Sequence, residues 1–298
     1  MSCGIVELLE EKVVLLDGGM GSSLIALGLE AGGCTELWNV EFPERVRAVH
    51  ESYLKAGSDV VQTNTFGANS LALARHGAGD RLGELNRAAA RIAREAVDSA
   101  GHGLVAGNIG PSGLFRPPVG TASPDEWRST FVDQARALAE EGVDYFSLET
   151  FSDLEEARVA ITAIRTFSEL PISACLTFDR KKRGFFTLMG DTPAKAFETL
   201  VAEGACAVGA NCSVGSGDML AAMTELREAA SVPLVVKPNA GLPRIADGRA
   251  VYAQAADEFA AEVAATVSLG AGAVGGCCGT DRDFIAALRS ELDDMPPR

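Results

Sequence analysis

Eight short apolar segments recur along the 298-residue chain, and a longer segment with helical periodicity follows each of them. This alternation predicts eight βα units, the number in a (β/α)8 TIM-type barrel. We therefore predict a single barrel domain over residues 1–298. The predicted strands are residues 13–17, 59–65, 104–109, 144–150, 172–178, 207–213, 234–239 and 273–277. The predicted helices are residues 43–56, 82–99, 124–141, 154–167, 193–203, 218–230, 257–269 and 281–292.

The structural alternative is an open, doubly wound parallel sheet. That fold usually has fewer units and would carry a glycine-rich dinucleotide-binding fingerprint. Gly19 and Gly21 fill the first two glycine positions of such a motif, but Leu24 stands where the third glycine is required. The barrel is therefore the preferred interpretation.

The charge balance excludes two classes of partner. The chain has 26 basic and 41 acidic residues, a net charge of −15, which disfavours binding to nucleic acid or to an anionic membrane surface. The charge-free stretch 263–280 contains five glycines and is too short and too polar to span a bilayer. The first residues lack the basic and apolar regions of a secretory signal, so we expect a cytoplasmic protein.

Polar and thiol side chains collect where the predicted strands end. In a β/α barrel these ends meet around one mouth, where catalytic groups are found. The predicted strand-end residues are Asp17, Asn64, Asn108, Glu149, Cys212, Asn239, Cys277 and Cys278.

Three of the seven cysteines form the most specific signal. Cys212 ends the sixth predicted strand, and the adjacent pair Cys277–Cys278 ends the eighth. Three thiolates can supply three corners of a tetrahedral zinc site and leave the fourth corner open, as in a catalytic site. The alternative is that all three are buried, inert thiols. We predict that inert state for the other four cysteines, Cys3, Cys34, Cys175 and Cys206.

Two further features are weaker by themselves. The turn formed by Asp17, Gly18, Gly19 and Met20 has backbone N–H groups that can hold a carboxylate or phosphate, or it is a tight turn without a ligand. Glu149 can hold an ammonium group, or it is a buried carboxylate paired with an amide or arginine. The three histidines fall in helices or loops, away from the strand ends.

Several motifs are distinctive as a set: LDGGMGSSL, ELWNVEFPERVRAVHESYLKAGSDVVQTNTFGAN, GNIGPSG, SLETFSD, GANCS, KPNAG and GGCCGT. With them the chain resembles the zinc-dependent homocysteine S-methyltransferase family over about residues 15–292. The cysteine spacing and the PNAG segment are most similar to the homocysteine-binding module of cobalamin-dependent methionine synthase. The resemblance implies a zinc-dependent enzyme that methylates the thiol of homocysteine to give methionine. The implied donor is methylcobalamin on a corrinoid protein in trans, or a small onium compound.

The resemblance also implies roles for particular residues. Cys212, Cys277 and Cys278 match the zinc ligands, and with Glu149 they form the implied catalytic set. Glu149 matches the residue that binds the α-ammonium group of homocysteine. The remaining implied substrate-binding residues are Asp17, Gly18, Gly19, Met20, Thr63, Asn64, Asn211 and Asn239.

Some positions depart from the family pattern. Lys237 stands where glutamate is expected, and Gln62 stands where glutamate or an apolar residue is common. These departures leave the methyl donor and the acceptor thiol open. One alternative is a homocysteine- or zinc-binding subunit that turns over only with a docked corrinoid protein. Another is an unrelated barrel enzyme with incidental cysteines, which predicts no bound zinc.

Overall fold

The computed structural model describes residues 4–246 and 249–295, and it contains the predicted eight parallel strands. Cys3, predicted to be an inert thiol, lies outside the described residues. The strands are β1 (Val14–Leu15), β2 (Val60–Gln62), β3 (Leu104–Ile109), β4 (Tyr145–Phe151), β5 (Ile172–Leu176), β6 (Ala207–Gly215), β7 (Leu234–Asn239) and β8 (Ala271–Val274).

The strands form one sheet in the order β1-β8-β7-β6-β5-β4-β3-β2, and every neighbouring pair is parallel. The two ends of this order meet at Asp59. Its backbone N–H donates to the Leu15 carbonyl at 2.7 Å, and its carboxylate accepts from the Leu15 N–H at 2.8 Å. These bonds bring β1 beside β2, so the sheet curls into a nearly closed barrel, which confirms the predicted TIM-type fold.

A long helix follows each strand, and the boundaries of these eight helices lie close to the predicted ones. Ser123 caps the third of these helices in a capping box with Glu126, and Pro43 occupies the first turn of the first. The barrel helices are α1 (Pro43–Lys55), α2 (Leu82–Ala100), α3 (Pro124–Glu140), α4 (Leu154–Arg165), α5 (Pro193–Ala202), α6 (Ser216–Ala229), α7 (Ala256–Ser268) and α8 (Arg282–Asp293).

Two apolar clusters hold these layers together. The larger fills the space between the sheet and the surrounding helices. The smaller joins alternate strand residues such as Val14, Val60 and Val235 to Ile5 and Leu9 of a short helix, Ile5–Glu11. That helix covers the amino ends of the strands, so the barrel is open only at the opposite end, where the strands finish.

The structure also contains elements that the sequence analysis missed. Two short antiparallel hairpins extend the loops after β5 and β7. Shorter helices precede or follow the first two strands. The hairpins are Asp179–Lys181 with Gly184–Phe186 and Arg244–Ala246 with Arg249–Val251, and the additional helices include Met20–Ala26, Trp38–Glu41 and Ser70–Ala74.

Four strands end two or three residues before their predicted ends: β1 at Leu15, β2 at Gln62, β5 at Leu176 and β8 at Val274. Asp17, Asn64 and Cys277 therefore lie in the loops that follow their strands. The segments after β1 and β8 leave the sheet and contact each other, since the Gly276 N–H donates to the Asp17 carbonyl at 3.0 Å. Within the described ranges, 4–246 and 249–295, none of the helices is long and apolar enough to cross a membrane.

Candidate active site

A cavity of about 370 Å³ opens at the carboxyl ends of the barrel strands, where catalytic groups are expected in this fold. Its lining contains ten of the twelve residues predicted for the site. Asn211 and Asn239 stand behind the lining and contact the cysteines from there. The ten lining residues are Asp17, Gly18, Gly19, Met20, Thr63, Asn64, Glu149, Cys212, Cys277 and Cys278.

The three predicted metal-ligating cysteines come together at one side of this cavity. The sulfur atoms of Cys212, Cys277 and Cys278 all lie within 4.8 Å of one another, and those of Cys212 and Cys278 are 4.0 Å apart. All three side chains are half-buried. The fold therefore brings the two cysteine segments together at one point.

An irregularity in β6 places Cys212. The pairing of β6 with β7 is regular up to Asn211 and resumes at Gly215 after a register shift. Within the shift, Cys212 and Ser213 have φ values of +57° and +55°, a left-handed conformation that is uncommon outside glycine. Such irregularities redirect side chains beside active sites. Here the bend turns the Cys212 sulfur toward the pair that follows β8.

A hydrogen-bonded turn places Cys277 and Cys278. The Cys277 N–H donates to the Pro238 carbonyl at 2.8 Å, and the Cys278 N–H donates to Asn239 Oδ1 at 3.2 Å. Thr280 closes the turn, because its hydroxyl donates to the Cys277 carbonyl at 2.7 Å. Asn239 therefore orients the backbone of one predicted ligand.

Asn211 ties the Cys212 strand to β4. Its side-chain oxygen accepts from the Thr150 N–H at 2.8 Å, and its nitrogen donates to the Thr150 hydroxyl at 2.8 Å. The same nitrogen lies 3.9 Å from the Cys277 sulfur. Thr150 itself has a φ of +64°, at a register shift between β4 and β5. These two hydrogen bonds, which we call the Asn211 bracket, hold the strained backbone at Thr150 against the strained backbone at Cys212.

The crowding of three thiols changes their acidity. Hydrogen bonds from Cys212 and Cys277 lower the pKa of Cys278 well below its usual range, so this sulfur is the first to become a thiolate. Hydrogen bonds with Cys212 and Cys278 raise the pKa of Cys277. Three negative sulfur atoms at this separation repel one another, so the cluster is fully ionised only around a cation.

The sulfur geometry fits a zinc ion. Zinc–sulfur bonds of about 2.3 Å in a tetrahedron place two sulfur ligands about 3.8 Å apart. The observed separation of 4.0 Å between Cys212 and Cys278 is close to that value. Three cysteines would supply three of the four ligands of such an ion and would leave one position for another ligand. The residues present can therefore hold a metal ion of this type.

A group of buried polar side chains, which we call the floor of the cavity, lies below the cysteines. It consists of Asp17, Gln62, Glu149 and Lys237. Lys237, on β7, donates to Glu149 Oε1 at 2.7 Å and to Gln62 Oε1 at 2.8 Å, and it lies 3.5 Å from Asp17 Oδ1. Asp17 also accepts from the Gln62 N–H at 2.7 Å, and Glu149 accepts from the Asn108 side chain at 3.3 Å. The two predicted carboxylates thus share one buried ammonium group.

Burial and charge act in opposite directions on these floor residues. Burial raises the pKa of Asp17 to about 6, although Lys237 and the hydrogen bond from Gln62 lower it. Burial alone would lower the pKa of Lys237, but the charges of Glu149 and Asp17 outweigh burial and raise it. Lys237 is therefore a permanent cation at neutral pH.

Some of the other predicted site residues make contacts that hold the structure around the cavity in place. The Asn64 side chain donates to the Thr35 carbonyl at 2.7 Å and to Asn39 Oδ1 at 2.9 Å, so it fixes a loop beside the cavity. Thr63 accepts from the Asn108 N–H at 2.9 Å. Gly19 lies so near Cys277 that an added Cβ would be 2.6 Å from the Cys277 carbonyl oxygen. A glycine is required there by close approach of two backbones.

Sequence reasoning missed the site contributions of Lys237, Gln62 and Tyr252. The first two were noted only as departures from the family pattern. Tyr252 follows the second hairpin, and its hydroxyl hydrogen-bonds the Cys278 sulfur; burial and then the charge of Cys278 raise the Tyr252 pKa. The residues that these three side chains contact lie far away in the sequence. Only the folded structure therefore reveals that the three belong to the site.

The cysteines predicted to be inert lie away from the cavity. Cys175 is buried among the apolar residues inside the barrel, where burial raises its pKa. Cys206 packs beside the same cluster. Cys34 donates to Glu36 at 3.2 Å, and burial raises its pKa to about 11. None of these three belongs to a metal-binding group among the residues described.

The fold and the site together define a β/α-barrel protein with a cluster of three cysteines at the mouth of the barrel that could hold a metal ion. The chain belongs to the homocysteine S-methyltransferase family, whose model matches residues 14–292. This result confirms the family predicted from the sequence motifs.

Individual relatives agree with this assignment. The chain is 31% identical over 309 residues to the methionine synthase of Mycobacterium tuberculosis, covering 98% of this chain and 25% of that protein. It is 30% identical over 316 residues to the methionine synthase of Mycobacterium leprae, covering 99% and 26%. The chain therefore spans about a quarter of the length of these curated relatives.

A solved structure is similar over nearly its full length. The metallated form of the homocysteine methyltransferase MmuM from Escherichia coli superimposes with a TM-score of 0.78 at 25% identity. The match covers 94% of this chain and 96% of that one.

Proposed function

We propose that this protein methylates the thiol of homocysteine and thereby forms methionine. The observation that carries the proposal is the group of three cysteine sulfur atoms, within 4.8 Å of one another, at the mouth of the barrel. Membership of the homocysteine S-methyltransferase family supports the acceptor, and the similarity to a homocysteine methyltransferase in a metallated form supports the metal.

We propose that the metal is zinc and that Cys212, Cys277 and Cys278 hold it. Thiolate sulfur is a ligand that zinc prefers, and three protein ligands with one open position are typical of catalytic zinc. When bound, the ion lowers the pKa of an acceptor thiol and keeps that sulfur ionised near neutral pH. A free thiol of pKa about 8.5 is only a few per cent ionised at pH 7.

The chain's own residues position the acceptor. Asp17 and Glu149 form the acidic floor below the cysteines, and the turn Gly18–Gly19–Met20 lines the same cavity. We infer that the amino-acid end of homocysteine lies against this floor while its sulfur lies against the cysteines. Thr63 and Asn64 line the wall, and Asn211 and Asn239 keep the cysteines in place. This arrangement supplies proximity and orientation.

The reaction exchanges one bond for another. A lone pair of the acceptor sulfur forms the new sulfur–methyl bond, and the bond between the methyl group and the donor breaks with its electron pair left on the donor. The thiol proton goes to solvent. The donor is a methylated corrinoid presented by another protein or domain, for which the similarity to two methionine synthases is the support, or a small sulfonium or ammonium compound.

We also propose that residues 1–298 act as one homocysteine-binding domain, since the barrel elements run from Val14 to Asp293 without a second core of comparable size among the described residues. The six described cysteines are free thiols, which supports a reducing, cytoplasmic location.

The test is methionine formation by the zinc-loaded protein. Homocysteine is incubated with methylcobalamin, S-methylmethionine or betaine in separate reactions, and methionine is measured by mass spectrometry. We expect methionine with at least one donor, dependent on both zinc and homocysteine, and loss of it in Cys212→Ala. Cys206→Ala, which removes a thiol outside the cluster, is the matched control. Bound zinc without methionine from any of these donors, and without methionine from a methylated corrinoid protein, would contradict the proposal.

A further inference from the structure

Lys237 occupies the place where an acceptor's ammonium group would meet Glu149. Its nitrogen lies 2.7 Å from Glu149 Oε1, 2.8 Å from Gln62 Oε1 and 3.5 Å from Asp17 Oδ1. An ammonium group has three N–H donors, and these three acceptors match them in number. The other Glu149 oxygen already accepts from Asn108 at 3.3 Å. Both oxygens of Glu149 are therefore engaged by the chain itself.

The ammonium group of Lys237 is held rigidly and stays charged. The side chain is 3% exposed, and those of its two carboxylate partners are 2% and 7% exposed. Buried charges of this kind persist only when they are paired and hydrogen-bonded, as these are. Among the described residues that line the cavity, Lys237 is the only cation.

The charge count of the floor follows directly. Asp17 and Glu149 contribute two negative charges when ionised, and Lys237 contributes one positive charge, which leaves one net negative charge. A ligand ammonium group placed against Glu149 would lie beside a fixed ammonium group and share its carboxylate. Like charges at such a short separation oppose each other strongly in a buried site. The floor therefore gains little from a second ammonium group.

We propose that Lys237 is a specificity-determining residue that substitutes for the acceptor's α-ammonium group and extends the acceptors of this site to thiols that carry a carboxylate but no ammonium group. This inference rests on the proposed methyl transfer to a thiol and specifies which thiols the same site takes. The simplest such acceptor is 4-mercaptobutanoate, which is homocysteine without its amino group. The methyl transfer itself is unchanged: the acceptor sulfur gains the methyl group, the donor keeps the electron pair, and the thiol proton goes to solvent.

The test compares the two acceptors by equilibrium binding, which needs no methyl donor. Isothermal titration calorimetry on the zinc-loaded protein gives the Kd of homocysteine and of 4-mercaptobutanoate. We expect the two values to differ by less than about tenfold, because the ammonium group adds little beside Lys237. In Lys237→Met, Glu149 loses its fixed partner and can accept from the ammonium group of homocysteine instead. We expect this variant to bind homocysteine about 100-fold more tightly than 4-mercaptobutanoate, which is the range of one charged hydrogen bond.

Two controls separate specificity from structure. Lys237→Arg keeps the positive charge and is expected to keep the wild-type ratio of the two Kd values. Lys195→Met removes an exposed lysine that pairs with Asp191, outside the cavity lining, and is expected to leave the ratio unchanged. Zinc content and thermal unfolding of each variant show whether it is folded, and a merely structural role of Lys237 would weaken both acceptors equally.

A third variant keeps the test decisive if Lys237→Met does not fold. Glu149→Gln is expected to change both Kd values by the same factor, within about threefold. The proposal is overturned if the wild-type protein prefers homocysteine by more than about tenfold, if Lys237→Met folds and leaves the ratio unchanged, or if Glu149→Gln weakens homocysteine alone. Absence of methionine formation would contradict the proposed function, whereas the ratio of the two Kd values tests Lys237 independently.

Discussion

The sulfur atoms of Cys212 and Cys278 lie 4.0 Å apart, although 66 positions separate the two residues in the chain. The barrel brings them together because β6 and the segment after β8 both end at the same mouth. Strained backbone at Cys212 and a hydrogen-bonded turn around Cys278 then complete the approach. The site is thus prepared by the fold before a ligand arrives.

Removal of any one cluster thiol should abolish metal binding. We expect Cys212→Ser, Cys277→Ser and Cys278→Ser each to lower the zinc content, measured by inductively coupled plasma mass spectrometry, to below about a tenth of wild type, because two thiolates make a much weaker zinc site than three. Cys206→Ala serves as the control and should keep wild-type zinc. A serine variant that retains full zinc would show that the cluster is not the binding site.

The close contact between Gly19 and Cys277 should be essential. An alanine Cβ at position 19 would stand 2.6 Å from the Cys277 carbonyl oxygen and 2.5 Å from the Ser22 hydroxyl. We expect Gly19→Ala to displace Cys277, to weaken zinc binding at least about tenfold in competition with a chromophoric chelator, and to destabilise the fold by about 1–3 kcal/mol. Gly21→Ala, whose Cβ would meet only Thr35 at 3.9 Å, should change neither property appreciably. Equal effects of the two substitutions would refute this explanation.

The Asn211 bracket should contribute to stability independently of metal. Asn211→Ala removes two hydrogen bonds to Thr150 and leaves the Thr150 N–H without its partner. We expect the free energy of unfolding of the metal-free protein, measured in urea, to fall by about 1–3 kcal/mol.

A substitution two residues away provides the contrast to Asn211→Ala. Ser213 has a φ of +55°, which glycine adopts without strain. Ser213→Gly should therefore leave stability unchanged or raise it by up to about 1 kcal/mol. If Ser213→Gly lost as much stability as Asn211→Ala, any substitution in this segment would be destabilising. The loss in Asn211→Ala could then not be assigned to its hydrogen bonds.

Glu156 should make stability depend on pH. It is buried in α4, and burial raises its pKa to about 7, although two hydrogen bonds from Ser112 lower it. The folded state then binds a proton more tightly than the unfolded state, whose pKa is 4.5. The associated stability is complete below pH 4.5 and is lost as the pH rises through 7. Relative to Glu156→Gln, the wild-type free energy of unfolding should fall by about 2–3 kcal/mol between pH 5 and pH 8.

The control for this pH dependence is Glu198→Gln, which changes an exposed glutamate on α5. Its unfolding free energy should follow that of the wild type across the same pH range. Parallel curves for wild type and Glu156→Gln would show that Glu156 does not carry the proton.

The sequence predicted the barrel and the cysteine cluster because both depend on local patterns. Helix α2 was recognisable from the periodicity of an alanine-rich segment, and Cys212 and Cys277 from their positions after apolar segments. The hairpin Asp179–Lys181 with Gly184–Phe186 was missed because each of its strands is only three residues long. The end of β8 was placed late because Gly275 and Gly276 continue the apolar pattern after the strand has left the sheet.

The floor of the cavity was the part least accessible to sequence reasoning. Glu149 was predicted to be available for a ligand, yet Lys237, 88 positions away, is its nearest partner. Lys237 was visible only as an unexpected residue before Pro238. Its role depends on contacts with Asp17 after β1, Gln62 on β2 and Glu149 on β4, and no local sequence pattern indicates that these residues meet.

The most direct measurement is zinc K-edge X-ray absorption of the zinc-loaded protein before and after homocysteine is added. We predict three sulfur neighbours per zinc without homocysteine and four with it, because three cysteines leave one position open for the acceptor sulfur. A sulfur count that does not rise when homocysteine is bound would contradict the view that this cluster activates the acceptor thiol.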